Sequence, residues 1–154
     1  MLEISADQFI DCTVEEVYRR VCKEYFAFQP VWDPAILQMK SLSDQPIAVG
    51  SEANISRVFR KNTQTGISKV TDLVEGFSIT VHNSYPTNGE TRYISCHQLN
   101  SGGTRLNVKI TYALKGIAKM VAPLSTSLVE RALAISLRSV KVELEKEVGR
   151  GEAS

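Results

Sequence analysis

The chemistry this 154-residue sequence offers is carried by a few polar side chains set among apolar ones. Arg57 alternates with Ala53, Ile55 and Phe59, so the two-residue period of a strand puts a guanidinium on an apolar face. An unpaired charge there is costly. Arg57 therefore anchors a ligand carboxylate or carbonyl, unless a slipped register or a bulge returns it to solvent. Tyr93, Ser95, His97 and Leu99 share one face of a later strand, and Ile94, Cys96 and Gln98 share the other. With the first set inside, Tyr93 and His97 form an interior acid/base pair. With the second set inside, Cys96 is a small core residue and His97 is solvated. The pattern leaves that choice open, as it does for 67–74. Tyr112 lies on the apolar face of the last strand, where its hydroxyl needs a ligand, a water or another side chain. Phe28 and Trp32 belong to the aromatic segment Tyr25–Pro34, which lines a cavity mouth or fills the core.

The elements that must position these residues can be read in order. Leu2–Asp11 reads as a strand. Thr13-Val14-Glu15-Glu16 is a capping box that starts a short helix with Val14, Val17, Tyr18 and Val21 on one face. Pro30 and Pro34 limit the aromatic segment to a second short helix or turn. Strands follow near 37–43, 51–60, 67–74, 77–85, 92–99 and 104–114, and Asn62–Gly66 carries turn chemistry. Short turns make consecutive strands antiparallel neighbours. About thirty residues of helical pattern then run to Val148. Val121, Leu124, Leu128, Ala132 and Ile135 make one apolar stripe, and Leu133, Leu137, Val140 and Leu144 an adjacent one. The expectation is a single α+β domain over 1–148, with residues 149–154 a disordered tail.

Composition narrows the function classes. A net charge of +1, 43% apolar and 23% charged residues describe an ordinary globular chain. No basic stripe interleaved with aromatics points to nucleic acid. No apolar run is long enough for stable membrane insertion, and the N-terminus lacks the pattern of a signal peptide. Three cysteines without metal-ligand spacing suggest free thiols in a reducing cytoplasm. His82 and His97 are too few and too far apart to suggest a metal, and nothing implies a cofactor. Nucleophile-elbow, zinc-protease and phosphate-loop motifs are absent.

The order of elements, with several short phrases, resembles the helix-grip superfamily. This superfamily includes START lipid-transfer domains, pollen-allergen-like proteins and polyketide cyclase/dehydrase-like proteins, together called SRPBCC. The phrases are Phe9–Tyr18, Trp32-Asp33-Pro34, Val49-Gly50-Ser51 and Gly102–Leu106. The resemblance spans Leu2 to about Val148. It implies a curved antiparallel sheet of about seven strands wrapped on a long C-terminal helix, with two short helices after the first strand. It also implies a cavity for apolar or amphipathic small molecules. The leading reading is a cytoplasmic protein that binds, carries or sequesters a small hydrophobic or amphipathic ligand, with Arg57, Tyr112, Tyr93, His97, Trp32, Phe28 and Leu128 as candidate contacts. The alternatives are a cyclase/dehydrase-type enzyme working through His97 or Tyr93, and a protein-interaction or co-chaperone-like module. No catalytic residue is assigned, and the oligomeric state is left open.

Overall fold

The computed structural model describes residues 2–59, 61–86, 88–113 and 117–153, with side chains described for 3–58, 61–86, 88–113 and 129–149. The chain begins with β1 (Leu2–Ile10). The capping box then starts α1 (Val14–Tyr18): the Thr13 hydroxyl accepts from the Glu16 amide, and the Glu16 carboxylate accepts from the Thr13 amide, each at 3.3 Å. A π-helical turn (Arg19–Lys23) leads to α2 (Tyr25–Trp32), which ends just before the aspartate preceding Pro34. Six strands follow: β2 (Ile36–Ser41), β3 (Glu52–Phe59), β4 (Asn62–Val74), β5 (Ser78–Ser84), β6 (Gly89–Gln98) and β7 (Thr104–Ala113). The last element is α3 (Ile117–Ala153).

The strands form one seven-stranded sheet in the order β1-β7-β6-β5-β4-β3-β2, and every neighbouring pair is antiparallel. β2 to β7 are a meander, and β1 returns to the far edge, where Ile4 lies opposite Ile110. This is the expected sheet, with the expected short helices after β1 and the long helix at the end. Three boundaries differ from the sequence reading, and at one of them β6 begins at Gly89 rather than at residue 92, which brings Glu90 into the sheet. Residues 62–66 belong to β4, because Phe59 pairs with Asn62 and Ile55 with Gly66. Gly149 lies within α3, where the sequence predicts a stop.

Alternation assigns the faces. Ile55, Val70, Ile79, Val81, Ile94, Cys96, Leu106, Val108 and Ile110 are buried, and nearly all of them join one core with Leu133, Leu137, Val140 and Leu144 of α3. Of the first stripe on α3, the side chains of Val121, Leu124 and Leu128 lie outside the described residues. Ile135 is 62% exposed and Ala132 is also exposed. Arg20 clamps the helices together. Its guanidinium lies 4.3 Å over the Phe28 ring and donates to Glu147 of α3 at 3.0 and 3.1 Å and to Glu24 at 2.6 Å. All three cysteines are free and buried.

Gly66 shows why β4 needs a glycine. An added Cβ would overlap the Ser84 carbonyl oxygen and stand 2.8 Å from the Tyr85 ring. Gly66→Ala should therefore destabilise the protein by about 3 kcal/mol in urea unfolding. Gly149→Ala, in open space on a helix, should instead stabilise it by up to about 1 kcal/mol.

Candidate functional site

The site lies on the concave face of the sheet, at the end where β6 begins and β7 finishes. Glu90, the second residue of β6, is 2% exposed and lies opposite Tyr112 of β7 and Asn83 of β5. Three donors converge on its Oε1: Asn83 Nδ2 at 2.8 Å, Arg57 Nη1 at 3.0 Å and Arg92 Nε at 3.0 Å. Arg92 is two residues along the same strand and so shares the face of Glu90. Its Nη1 reaches Asp33 Oδ2 at 3.5 Å. Asp33 holds the loop after α2 as well, because its Oδ1 accepts from the Ala35 amide at 3.1 Å. Two guanidiniums and two carboxylates thus form a buried cluster without net charge.

Electrostatics follow from this packing. Burial alone would raise the Glu90 carboxyl, but Arg92 and Arg57 beside it, with the Asn83 hydrogen bond, hold it below its ordinary value of 4.5. Burial likewise works against the charge on Arg92 and Arg57. The neighbouring carboxylates outweigh it, and both guanidiniums are held more firmly charged than usual. Tyr85 is pushed up to about 12, first by burial and then by Glu90. Burial also raises Tyr25 and Tyr112, with Glu90 adding to it. All three phenols are therefore neutral hydroxyls near pH 7.

The cluster is ringed by polar atoms that the protein leaves unpaired. Among the described residues no group pairs with Gln29 Oε1, Ser68 Oγ or Asn83 Oδ1, whereas the Tyr25 hydroxyl meets the Gln29 amide, and the Tyr85 hydroxyl the Arg57 guanidinium, only in loose contacts outside good hydrogen-bond geometry. Tyr25 and Gln29 sit one helical turn apart on α2 with their polar ends in loose contact, and Ser68 lies opposite Asn83 in the β4–β5 ladder. The Arg57 guanidinium lies 6.0 Å from the centre of the Tyr85 ring.

The candidates from sequence divide accordingly. Arg57 faces inward, but its partner is Glu90 of this chain. Tyr112 lies on the same face, opposite Glu90. Tyr93 and His97 are on the convex face, because Ile94 and Cys96 take the buried positions of β6. There His97 Nε2 is 3.0 Å from the Ser95 hydroxyl, and its ring meets Phe77 edge-on. An interior acid/base pair of Tyr93 and His97 is thereby excluded. Phe28 is fully buried beneath Arg20. Trp32 is buried at the floor of an outer groove of about 650 Å³ between α2 and α3, with Val31, Ile135 and Val142 on its walls. The Leu128 side chain lies outside the described residues. Glu90, Arg92, Asn83 and Asp33 were not among the candidates. The signal for the first two was their i, i+2 spacing in phase with Ile94 and Cys96. For Asn83 it was its phase with Ile79 and Val81.

Comparison with solved structures places this architecture. The chain superposes on a START superfamily protein from Mycobacterium smegmatis with a TM-score of 0.74 at 16% identity, covering 94% of this chain and 97% of that one. It superposes on the Zhui aromatase/cyclase from Streptomyces with a TM-score of 0.75 at 12% identity, covering 96% and 95%. A protein from Thermus thermophilus gives 0.77 at 12% identity, covering 95% and 99%. The chain thus has the helix-grip fold of the START-related superfamily. No family model matches the sequence, and no curated protein matches it.

Glu90 should set the acid limit of stability. Its folded carboxyl titrates below 4.5, so the unfolded chain takes up a proton first as the pH falls. Stability is then complete above about 4.5 and is lost as the pH drops through the lower, folded value. Glu90→Gln should flatten this acid limb in unfolding curves recorded from pH 7 to pH 3. It should also cost about 3 kcal/mol at pH 7, because it leaves buried guanidiniums short of a counter-charge.

Proposed function

We propose that the protein binds a small amphipathic molecule inside the helix-grip interior, with the polar end of the molecule at the Glu90 cluster. The observation that carries this reading is the ring of buried, unpaired polar atoms around a cluster that is otherwise neutral and hydrogen-bonded. Each such atom in a closed, dry interior costs about 1–3 kcal/mol. A ligand head that pairs with several of them at once recovers that cost. Apolar contact beside the cluster would give such a ligand most of its affinity, at about 25 cal/mol per Å² before ordering costs. The likeness to a START superfamily protein and to an aromatase/cyclase supports the same reading at the level of fold. Among the described residues no helix is long and apolar enough to cross a membrane.

Native mass spectrometry of the freshly purified protein, followed by denaturing extraction, tests the reading directly. A small molecule released on denaturation supports it. A mass equal to the bare chain, together with no uptake of the neutral amphipathic dye prodan, sinks it.

Tyr25→Phe separates ligand binding from packing by sign. The hydroxyl has only a loose contact with the Gln29 amide. Its removal should leave the ligand-free protein equal or more stable, by up to about 1 kcal/mol, while weakening prodan binding about tenfold. A purely structural hydroxyl would lower stability and leave the dye's affinity unchanged.

A further inference from the structure

Charge balance at the buried cluster constrains the ligand more closely. Arg57 is paired with Glu90, and Arg92 with both Glu90 and Asp33, so two cations meet two anions. A carboxylate or phosphate entering this end would be the third negative group against two guanidiniums. An ammonium would be the third positive group against two carboxylates. Either would bury a charge that nothing among the described residues neutralises, and such burial is strongly unfavourable.

The unpaired atoms show what is wanted instead. Glu90 as a carboxylate can only accept, so the Asn83 amide must turn its NH2 toward Glu90 and its Oδ1 away. That leaves Asn83 Oδ1 and Gln29 Oε1 as free acceptors. The Gln29 NH2 and the Arg57 guanidinium face the Tyr25 and Tyr85 hydroxyl oxygens, so those hydroxyls keep their protons to donate, and the Ser68 hydroxyl can serve in either role. Both acceptors and at least one donor of this set belong to fully buried side chains. A group that only accepts leaves the two amide oxygens unpaired, and a group that only donates leaves the Tyr25 and Tyr85 hydroxyl protons unpaired.

We infer that the ligand presents an uncharged head that both donates and accepts hydrogen bonds, such as an alcohol, a phenol or a hydroxy-ketone, and that the site discriminates against carboxylates, phosphates and amines. This rests on the amphipathic-ligand reading above and adds the chemical class of the head. Of the two ligand groups that the sequence offers Arg57, a carboxylate or a carbonyl, it disfavours the carboxylate, because the charge of Arg57 is already spent on Glu90.

The test uses a series with one tail and different heads. Bound prodan is displaced at pH 7 by 1-decanol, decanoate or decylammonium, each titrated against the full-length protein. 1-Decanol should displace the dye at about tenfold lower concentration than either ion. Decanoate matching or surpassing 1-decanol overturns the inference while leaving the ligand-binding reading in place. Failure of both prodan and 1-decanol to bind, the alcohol read directly as a rise in Tm, sinks both. Removing one negative charge should shift the preference. In Glu90→Gln the cluster carries a net positive charge, and decanoate should gain about tenfold relative to 1-decanol. Asp33→Asn makes the same change in charge at the edge of the cluster and should shift selectivity the same way, even if Glu90→Gln fails to fold. An unchanged ratio in a folded variant overturns the inference.

Discussion

One carboxylate oxygen organises the interior of this protein. Glu90 Oε1 accepts from Asn83 on β5, Arg57 on β3 and Arg92 on its own strand, and Arg92 carries the connection to Asp33 at the end of α2. A buried carboxylate without such partners would take up a proton rather than stay charged. Here the donors outweigh burial and keep it ionised. The strands are thus tied across the sheet by side chains on one face, in addition to their ladder bonds. The loop after α2 is tied down by the same network, because Asp33 uses one oxygen for its own turn and the other for Arg92.

This arrangement divides the interior into two unlike halves. At the end of the sheet away from Glu90, aliphatic side chains of β5, β6 and β7 pack on Leu137, Val140 and Leu144 of α3, and Cys22 and Cys96 complete a dry core. The long helix is held there by apolar burial and by the Arg20–Glu147 pair. At the other end the inward positions of β3 to β7 change from aliphatic to Arg57, Gln64, Ser68, Asn83, Glu90, Arg92 and Tyr112. The change occurs within single strands. In β6, Ile94 and Cys96 belong to the dry half, and Glu90 and Arg92 belong to the polar half.

Most of the fold was legible because it depends on local signals. The capping box at Thr13–Glu16, the alternation of 104–113 and the glycine turn at 102–103 each fix one element, and short turns fix the neighbours. The start of β4 was not legible, because Asn62–Gly66 is polar on its exposed side and Gly66 answers to Ser84 and Tyr85, which are distant in sequence. The site was only partly legible, for a related reason. Alternation placed Arg57 and Tyr112 on the inner face, but nothing local shows that Arg57 meets Glu90, 33 residues on. Glu90 itself follows Gly89 in a turn-rich stretch, where a glutamate ordinarily faces water. The inner face of β6 was undecidable, because both of its faces mix polar and apolar residues. Only pairing with β5 and β7 brings Ile94 and Cys96 inward and sends Tyr93 and His97 out.

Stability alone does not account for the polar half. Replacing a buried ion pair or triad by well-packed aliphatic residues is often neutral, or stabilising by about 1–4 kcal/mol. This sheet closes its other end with such residues, so the fold has a cheaper solution available. The Glu90 cluster also leaves donors and acceptors unpaired around it, where a network kept for rigidity would be satisfied within itself. A cluster that is internally neutral, locked by a triply bonded carboxylate and ringed by unused hydrogen-bonding atoms has the properties of a preorganised recognition surface. The ions fix the geometry, and the uncharged groups around them are left to meet a partner. In the proposed ligand-binding role the charged residues would be the frame of the site, and Tyr25, Gln29, Ser68, Asn83 and Tyr85 the groups that meet the ligand.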